Sequence, residues 1–288
     1  MKVNKEWKEF EVIETGKGEK LERWGNVTLL RPDPQIIWGE KIAEKKADAH
    51  YLTSESGGGR WKYISKVPEE WTIGWRNLKF LIKPMGFKHT GLFPEQATNW
   101  EMMIDLIQNA KRPINVLNLF AYTGGATVAC ASAGASVTHV DAAKNMVERC
   151  KQNAKASGLQ DAPIRYIVDD CFKFVEREIR RGKKYDAIIM DPPSYGRGTG
   201  GEVWKLEENI ADFVKLCSKV LTDNPLFVLI NSYTTGLGAT AMENILRVSL
   251  KQFKGKFDSY EVGLNTKEGL ILPCGNSSVF IGEKTNGK

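Results

Sequence analysis

Five cysteines, at positions 130, 150, 171, 217 and 274, are spread through 288 residues without one C-x-x-C pair, and only three histidines accompany them. An odd set at such spacings builds no disulfide framework, and so thin a supply of Cys and His gives no zinc signature, so no metal is expected. No apolar run approaches the roughly 20 residues of a membrane span. The opening residues, MKVNKEW, lack the apolar core of an export signal. A reducing cytoplasm is the expected compartment. Internal repeats and low-complexity tracts are also absent. Acidic excess is missing too: the net charge is +6, which permits a polyanionic partner without demanding one.

What is present is the composition of an ordinary globular protein, 42% hydrophobic and 26% charged, on a chain long enough for one large domain or two. Seven of the eight tryptophans lie before residue 101. The same region carries short alternating stretches with turn signals between them. Residues 10–13 lead to Gly16-Lys17-Gly18, residues 21–24 and 27–30 flank Gly25-Asn26 as a hairpin, and 71–82 reads as a strand pair around Gly74 or Arg76-Asn77. The glycine run 57–59 and the prolines at 68 and 84 close this part off. Residues 1–88 are therefore expected to form a β-rich domain that binds substrate or RNA, and 89–288 a second domain. The tryptophans, with Arg23, Arg31, Arg60, Lys62, Arg76 and Lys79, suit either a small core or a stacking and phosphate-contacting surface.

From about residue 100 the rhythm changes. A helix near 100–107 precedes strands at 114–120, 137–141, 164–168, 185–191 and 226–231, with amphipathic helices after each. Two tail strands follow, at 259–262 and 278–282, separated by a Gly/Pro-rich connection. Near-continuous apolar strands alternating with helices predict an α/β fold, a doubly wound Rossmann-like parallel sheet covered on both faces. Such sheets bind ligands outside the carboxyl ends of their strands.

Those ends carry the chemistry. After the first strand comes NLFAYTGGAT, whose Gly124 and Gly125 allow close backbone approach and present free amides at a helix start. A third glycine is missing, so a dinucleotide cradle is disfavoured. The second strand ends in Asp141, suited to the two hydroxyls of a ribose or to capping a helix. The third ends in Asp170, suited to an exocyclic amino group or again to a cap, and the amide after it can donate to a ring nitrogen. The fourth ends in Asp191-Pro192-Pro193, where proline fixes the backbone and aims a carboxylate and a carbonyl outward, with the aromatic Tyr195 following. On consecutive strands in this order, the four describe a site for S-adenosylmethionine beside a substrate pocket.

The segments VLNLFAYTGGATVACASAGA, VTHVDAAKNMVERCKQN, VDDCFKF and YDAIIMDPPSYG resemble a class I S-adenosylmethionine-dependent methyltransferase. They are most similar to the bacterial 23S rRNA base methyltransferases, a group with cytosine-C5 and guanine-N7 members. HTGLFPEQATNW, residues 89–100, is similar to the segment preceding the catalytic domain in that group. The likeness is strong over 89–235 and weak elsewhere, and the separate N-terminal RNA-binding module of some members is not evident. It implies that the cofactor lies on Asn118, Phe120, Tyr122, Thr123, Gly124, Gly125, Asp141, Ala142, Asp170, Cys171 and Asp191, with a contribution from Gln96. It makes Asp191, Pro192 and Tyr195 the catalytic set and ribosomal RNA the partner, with rRNA processing as the role. Oligomeric state, monomer or homodimer, stays open.

One departure bears on mechanism. Methylation at pyrimidine C5 needs a cysteine nucleophile, which the C5 members carry at the end of the fifth strand. Here that stretch is INSYTTG, with Tyr233 in the thiol's place. Cys274, in LPCG, reads as a loop thiol within reach of the site or as a structural one. Transfer to a ring or exocyclic nitrogen is the simpler chemistry, with Tyr195 or Trp204 stacking on the base. The glycine loop 196–201 reads as a segment that closes over substrate. Two alternatives stand beside the RNA reading: a class I methyltransferase for a small molecule or protein side chain, and a binding module that has lost catalysis.

Overall fold

A computed structural model describes residues 1–54, 58–197, 203–233 and 236–283. They fall into two compact units. The smaller holds Val3–Ala97 and Gly263–Cys274; the larger holds Thr98–Val262, the stretch from Gly275 and the first two residues. The contacts thus divide at 97/98 rather than at 88/89, and part of the tail joins the N-terminal unit.

In the smaller unit, strands Phe10–Gly16, Glu19–Trp24, Val27–Pro32, Ala49–Thr53 and Gly59–Tyr63 form one sheet in chain order. All neighbours are antiparallel except the third and fourth, which run parallel through Leu29 opposite Ala49. Lys17 and Gly18 both have positive φ, 45° and 85°, the geometry of a type I′ turn, whereas at Gly25-Asn26 only the glycine does. A separate hairpin pairs Trp71–Trp75 with Leu78–Ile82. The last two strands of the five-stranded sheet were not foreseen: the glycine run taken as a boundary leads into one of them, its Gly57 lying outside the described residues. Residues of the tail return here, with the Thr15 amide donating to Glu268 at 2.9 Å and the Lys267 amide to the Val12 carbonyl at 2.8 Å.

Two tryptophans of this unit belong to its interior. Trp24 and Trp75 are fully buried, and Phe10 meets Trp24 edge-on at 4.6 Å. Six indole N–H groups have partners inside the unit: Trp7 on the Pro94 carbonyl, Trp24 on Glu22, Trp38 on Thr15, Trp61 on the Met85 carbonyl, Trp71 on the Trp24 carbonyl and Trp75 on Asn4. Of the cations noted with them, Arg31 is buried against Glu22, Lys62 pairs with Glu44 and Arg76 with Glu6. The core reading holds for Trp24 and Trp75, while Trp7, Trp38, Trp61 and Trp71 are half-buried.

In the larger unit, α1 (Ala97–Gln108), β1 (Asn115–Leu119), α2 (Gly125–Ser132), β2 (Ser136–Asp141), α3 (Lys144–Ala156), β3 (Ile164–Val168), α4 (Cys171–Arg180), β4 (Ala187–Met190), α5 (Leu206–Ser218), β5 (Phe227–Ser232), α6 (Ala239–Ser249), β6 (Gly255–Asn265) and β7 (Ile271–Gly282) follow in chain order. The sheet runs β6-β7-β5-β4-β1-β2-β3, with the two-residue Lys2–Val3 at the β6 edge. Strands β1 to β5 pair in parallel, and β7 is antiparallel to β5. The winding reverses between β1 and β4, the crevice where a doubly wound sheet takes its ligand. This is the expected α/β architecture with a small β-rich N-terminal part.

Strand period explains the two layers. Leu117 and Leu119 face one way, with Ile188, Met190, Val228 and Ile230, onto α4, α5 and α6 through Phe174, Phe213 and Leu246. Asn118 faces the other way, where its amide donates to Thr127 of α2 at 2.9 Å and Thr127 meets His139 Nδ1 at 2.9 Å. Burial pushes His139 down to about 3, so its ring is neutral. Among the described residues, no helix is long and apolar enough to cross a membrane, and no group of His, Cys, Asp or Glu could hold a metal ion.

Candidate cofactor and substrate site

The turn after β1 is held in an unusual backbone. Phe120 and Tyr122, neither of them glycine, have φ of 54° and 49°, and Gly124 has φ of 81°. Left-handed residues persist only where their surroundings over-determine them, and these do. The Phe120 amide donates to Cys171 Sγ at 3.3 Å, the Ala121 amide to the Val140 carbonyl at 3.1 Å and the Tyr122 amide to Asp141 Oδ2 at 2.8 Å. Asn153 of α3 reaches back to the Thr123 carbonyl at 2.9 Å.

The double glycine has a packing reason besides the one its sequence suggested. A Cβ on Gly124 would lie 2.1 Å from Cys150 Sγ, and one on Gly125 would lie 2.6 Å from the Trp100 ring. The close approach these glycines permit is therefore to α3 and α1.

Asp141 does not cap α3, whose N-cap is Ala143 without a side-chain bond. Its two oxygens accept from the amides of Tyr122 and Ala143, each at 2.8 Å. Burial raises its pKa, and the two amides work against that rise. A carboxylate oxygen has a second acceptor site, so both can still receive a hydroxyl. Its backbone carbonyl takes the Asp169 amide at 3.0 Å, stitching β2 to β3.

Asp170 does cap α4, accepting the Lys173 amide at 3.0 Å on one oxygen. Asp169 accepts the Asp170 amide at 2.9 Å and forms an ion pair with Arg177. Cys171 is buried, and burial pushes its thiol well up, so it enters as a hydrogen-bond acceptor rather than a thiolate.

At the end of β4, the Asp191 amide donates to the Leu119 carbonyl at 3.4 Å, which sets its side of the crevice against the β1 turn. Pro192 is buried and Pro193 exposed. The stiff turn feeds a short hairpin, Tyr195–Arg197 with Val203–Lys205, that the sequence did not announce. It is pinned from behind: Trp204 donates to the Pro193 carbonyl at 2.6 Å, and its ring packs 5.6 Å from both Phe120 and Phe172. Trp204 is thus an anchor of the hairpin, while Tyr195 is 54% exposed beside it. Of the loop 196–201, expected to close over substrate, residues 198–201 lie outside the described residues.

The fold gathers Phe120, Tyr122, Asp141, Asp170, Cys171 and Asp191 at the carboxyl ends of β4, β1, β2 and β3, with Ala142 exposed next to Asp141. Asn118 and Thr123 are buried beneath, supporting the turn. Gln96 belongs to the smaller unit, buried in the 3₁₀ turn Pro94–Gln96. Cys274 sits on β7, not on a loop, in the part of that strand assigned to the smaller unit, and burial pushes its thiol well up. Gly275 makes the strand possible, since a Cβ there would meet the Ser232 carbonyl at 2.8 Å and the Tyr233 ring at 2.9 Å.

Sequence reading missed one group. Asn99 donates to Ser277 at 2.9 Å and to Asn231 at 3.2 Å, Ser277 donates to Asn231 at 2.8 Å, and Tyr260 donates to Asn99 at 2.7 Å. All four are buried, a satisfied polar network that fixes the end of β5. The signal was the polar pair Asn231-Ser232 closing an otherwise apolar strand.

Residues 50–235 match the model of the S-adenosylmethionine-dependent methyltransferase family. A SAM-dependent methyltransferase from Agrobacterium tumefaciens superposes with a TM-score of 0.91 at 34% identity, over 98% of this chain and 93% of that one. Another, from Streptococcus mutans, reaches 0.73 at 18% identity, over 96% and 76%, a likeness of fold. Among curated proteins, the ribosomal RNA large subunit methyltransferase K/L of Shewanella frigidimarina is 28% identical over 73% of this chain and 28% of its own length. The ribosomal RNA large subunit methyltransferase I of Salmonella newport is 28% identical over 62% and 43%. The chain thus spans less than half the length of these curated relatives.

Proposed function

The chain belongs to the S-adenosylmethionine-dependent methyltransferase family, and we propose that it methylates a base of ribosomal RNA, at nitrogen. S-adenosylmethionine is its cofactor. The strand ends fit that molecule: Asp141 keeps acceptor capacity on both oxygens for a ribose, and the Asp170 carboxylate and Cys171 amide flank a place for adenine. The cofactor supplies a methyl group activated on a sulfonium. The protein's part is to align the nucleophile and exclude water. Asp191 and the Pro192 carbonyl would hold the base nitrogen through hydrogen bonds, and Tyr195 would cover the ring.

The RNA substrate is supported by the names of the curated relatives. The nitrogen target is supported by one observation. All five cysteines are free, and burial raises every one of their thiols, Cys274 included. No thiolate stands ready to add to a pyrimidine. Five free thiols also favour a cytoplasmic location. A second reading, a small-molecule or protein substrate, is favoured by Trp24 and Trp75, which are spent in the core of the smaller unit. Mass-spectrometric comparison of rRNA nucleosides from cells with and without the gene separates the two. One methylated base should vanish, and an unchanged nucleoside profile would sink the RNA reading.

A further inference from the structure

The two ends of the parallel sheet differ in charge. Its carboxyl ends gather Asp141, Asp169, Asp170 and Asp191 around the crevice. At its amino ends, the connections 109–114, 181–186, 219–226 and 250–254 lead from α1, α4, α5 and α6 into β1, β4, β5 and β6. Together these four hold eight Lys and Arg against two acids, and one of the acids, Asp186, is buried on Arg112 at 2.6 Å. The other is Asp223, and Glu283 adds an exposed acid from the end of β7. The connections before β2 and β3 hold no cation.

Hydrogen bonds draw the four connections into one surface. Arg112 Nη2 donates to the Asn224 carbonyl at 2.8 Å, and Lys184 Nζ to the Lys219 carbonyl at 2.8 Å. The Glu283 amide donates to the Lys254 carbonyl at 3.1 Å, next to the Gly282 amide on the Leu226 carbonyl at 3.0 Å. The band crosses the adjacent strands β6-β7-β5-β4-β1, about 19 Å at the usual strand spacing. Lys111, Lys183, Lys219, Lys251 and Lys254 are exposed, and among the described residues none of their ammonium groups has an ion pair or hydrogen bond. Helix dipoles explain only part of this. The negative ends of α4 and α5 favour Arg180 and Lys215 in their last turns. That influence fades beyond the last turn, whereas Lys183 and Lys254 lie three and five residues past their helices. Unpaired lysines so close repel one another across a Debye length of about 10 Å. Gathering them on one face therefore favours a polyanion laid across it.

We propose that this amino-end face binds backbone phosphates of the RNA whose base is methylated at the opposite end of the sheet. The inference rests on the RNA reading above. Carboxylates at the crevice repel phosphate, so an anchor away from the crevice supplies affinity that the crevice withholds. Phosphate contacts of this kind position a nucleic acid and leave base recognition to the site itself. The two ends lie about 17 Å apart along the five residues of β1, so the RNA must extend past the base being modified. The unpaired lysines are the residues to change, because their ammonium groups hold nothing in the fold.

The experiment uses the full chain, a variant combining Lys111→Gln, Lys183→Gln, Lys219→Gln and Lys254→Gln, and a second with the same four lysines changed to Arg. Filter binding and steady-state methyl transfer follow transcribed 23S rRNA fragments, the binding across a salt series; calorimetry follows S-adenosylmethionine. The glutamine variant should bind the fragments roughly tenfold or more weakly, with a salt slope lower by about two to three. Its KM for RNA should rise with kcat little changed, and its cofactor affinity should equal the parent's. The arginine variant should restore binding and slope. If the glutamine variant matches the parent in affinity and slope while the parent methylates the fragments, the face is refuted and the RNA reading stands. If the parent binds S-adenosylmethionine but neither binds nor methylates any fragment, the RNA reading fails and this assignment falls with it. Binding to phosphatidylglycerol vesicles that the glutamine variant loses, with fragment binding unmoved, would overturn the proposal in favour of a lipid surface.

Discussion

Gly124 and Cys150 are in contact so close that a single methyl group on the first would sit 2.1 Å from the sulfur of the second and 2.8 Å from its Cβ. The β1 turn is pressed onto α3 by this contact. Gly124→Ala meets both the clash and a positive φ, and should destabilise the protein by about 2–4 kcal/mol. Cys150→Ala in the same chain removes the sulfur but leaves the Cβ, so it should recover part of the loss. A double-mutant cycle by urea unfolding checks this, and strictly additive effects would refute the contact.

Asp141→Asn tests the ribose assignment. An amide group cannot accept on both sides, so one of the Tyr122 and Ala143 amides loses its acceptor. Cofactor affinity should fall by about 1–3 kcal/mol, or roughly 5- to 150-fold. Calorimetry with S-adenosylmethionine gives the number, and an unchanged affinity would remove Asp141 from the site.

Asp191→Ala should lose turnover by roughly a hundredfold or more with little change in cofactor binding, because alignment matters most in the transition state. Cys274→Ala should keep its activity. Methyl transfer from labelled cofactor at saturating concentration reports both. A dead Cys274→Ala that forms no adduct, where its parent traps a 5-fluoropyrimidine RNA, would make this a C5 enzyme.

Two histidines set an acid limit. His139 is held down to about 3 and His89 to about 4, from an ordinary 6.5. The unfolded chain takes up protons below pH 6.5 that the folded protein refuses, so stability present above 6.5 is lost as pH falls toward 4. The loss should reach about 1–3 kcal/mol, less than the full shifts because His89 is partly exposed. His139→Gln should flatten the fall. Urea midpoints at pH 7 and pH 5 decide it; equal slopes in parent and variant would refute the assignment.

The parallel sheet was legible because β1, β4 and β5 are buried on both faces and so read as unbroken apolar runs. Strand Gly59–Tyr63 was not, since most of its residues face solvent and only its partner makes it a strand. Its Gly59 looks like a turn in sequence, but a Cβ there would lie 2.3 Å from the Leu52 carbonyl and 2.7 Å from Tyr51. Cys274 misled for a similar reason: Pro273 and Gly275 mark a loop by type, while β7 needs the glycine for the Tyr233 ring. Asp141 and Asp191 could be read because they end apolar strands. That the glycines serve α1 and α3 depends on what lies across the fold, which local spacing does not encode.

Trp204 is the only tryptophan beyond residue 100, and its indole lies 5.6 Å from Phe120 while holding the carbonyl of Pro193. One chromophore thus touches both the turn that would receive the donor and the hairpin that follows the Asp-Pro-Pro corner. Its fluorescence is a built-in optical gauge of the crevice, able to time ligand arrival in a stopped-flow instrument without a label. Trp204→Phe should erase the emission change that S-adenosylmethionine produces. An undiminished change in that variant would assign the signal to Trp100 or to the smaller unit.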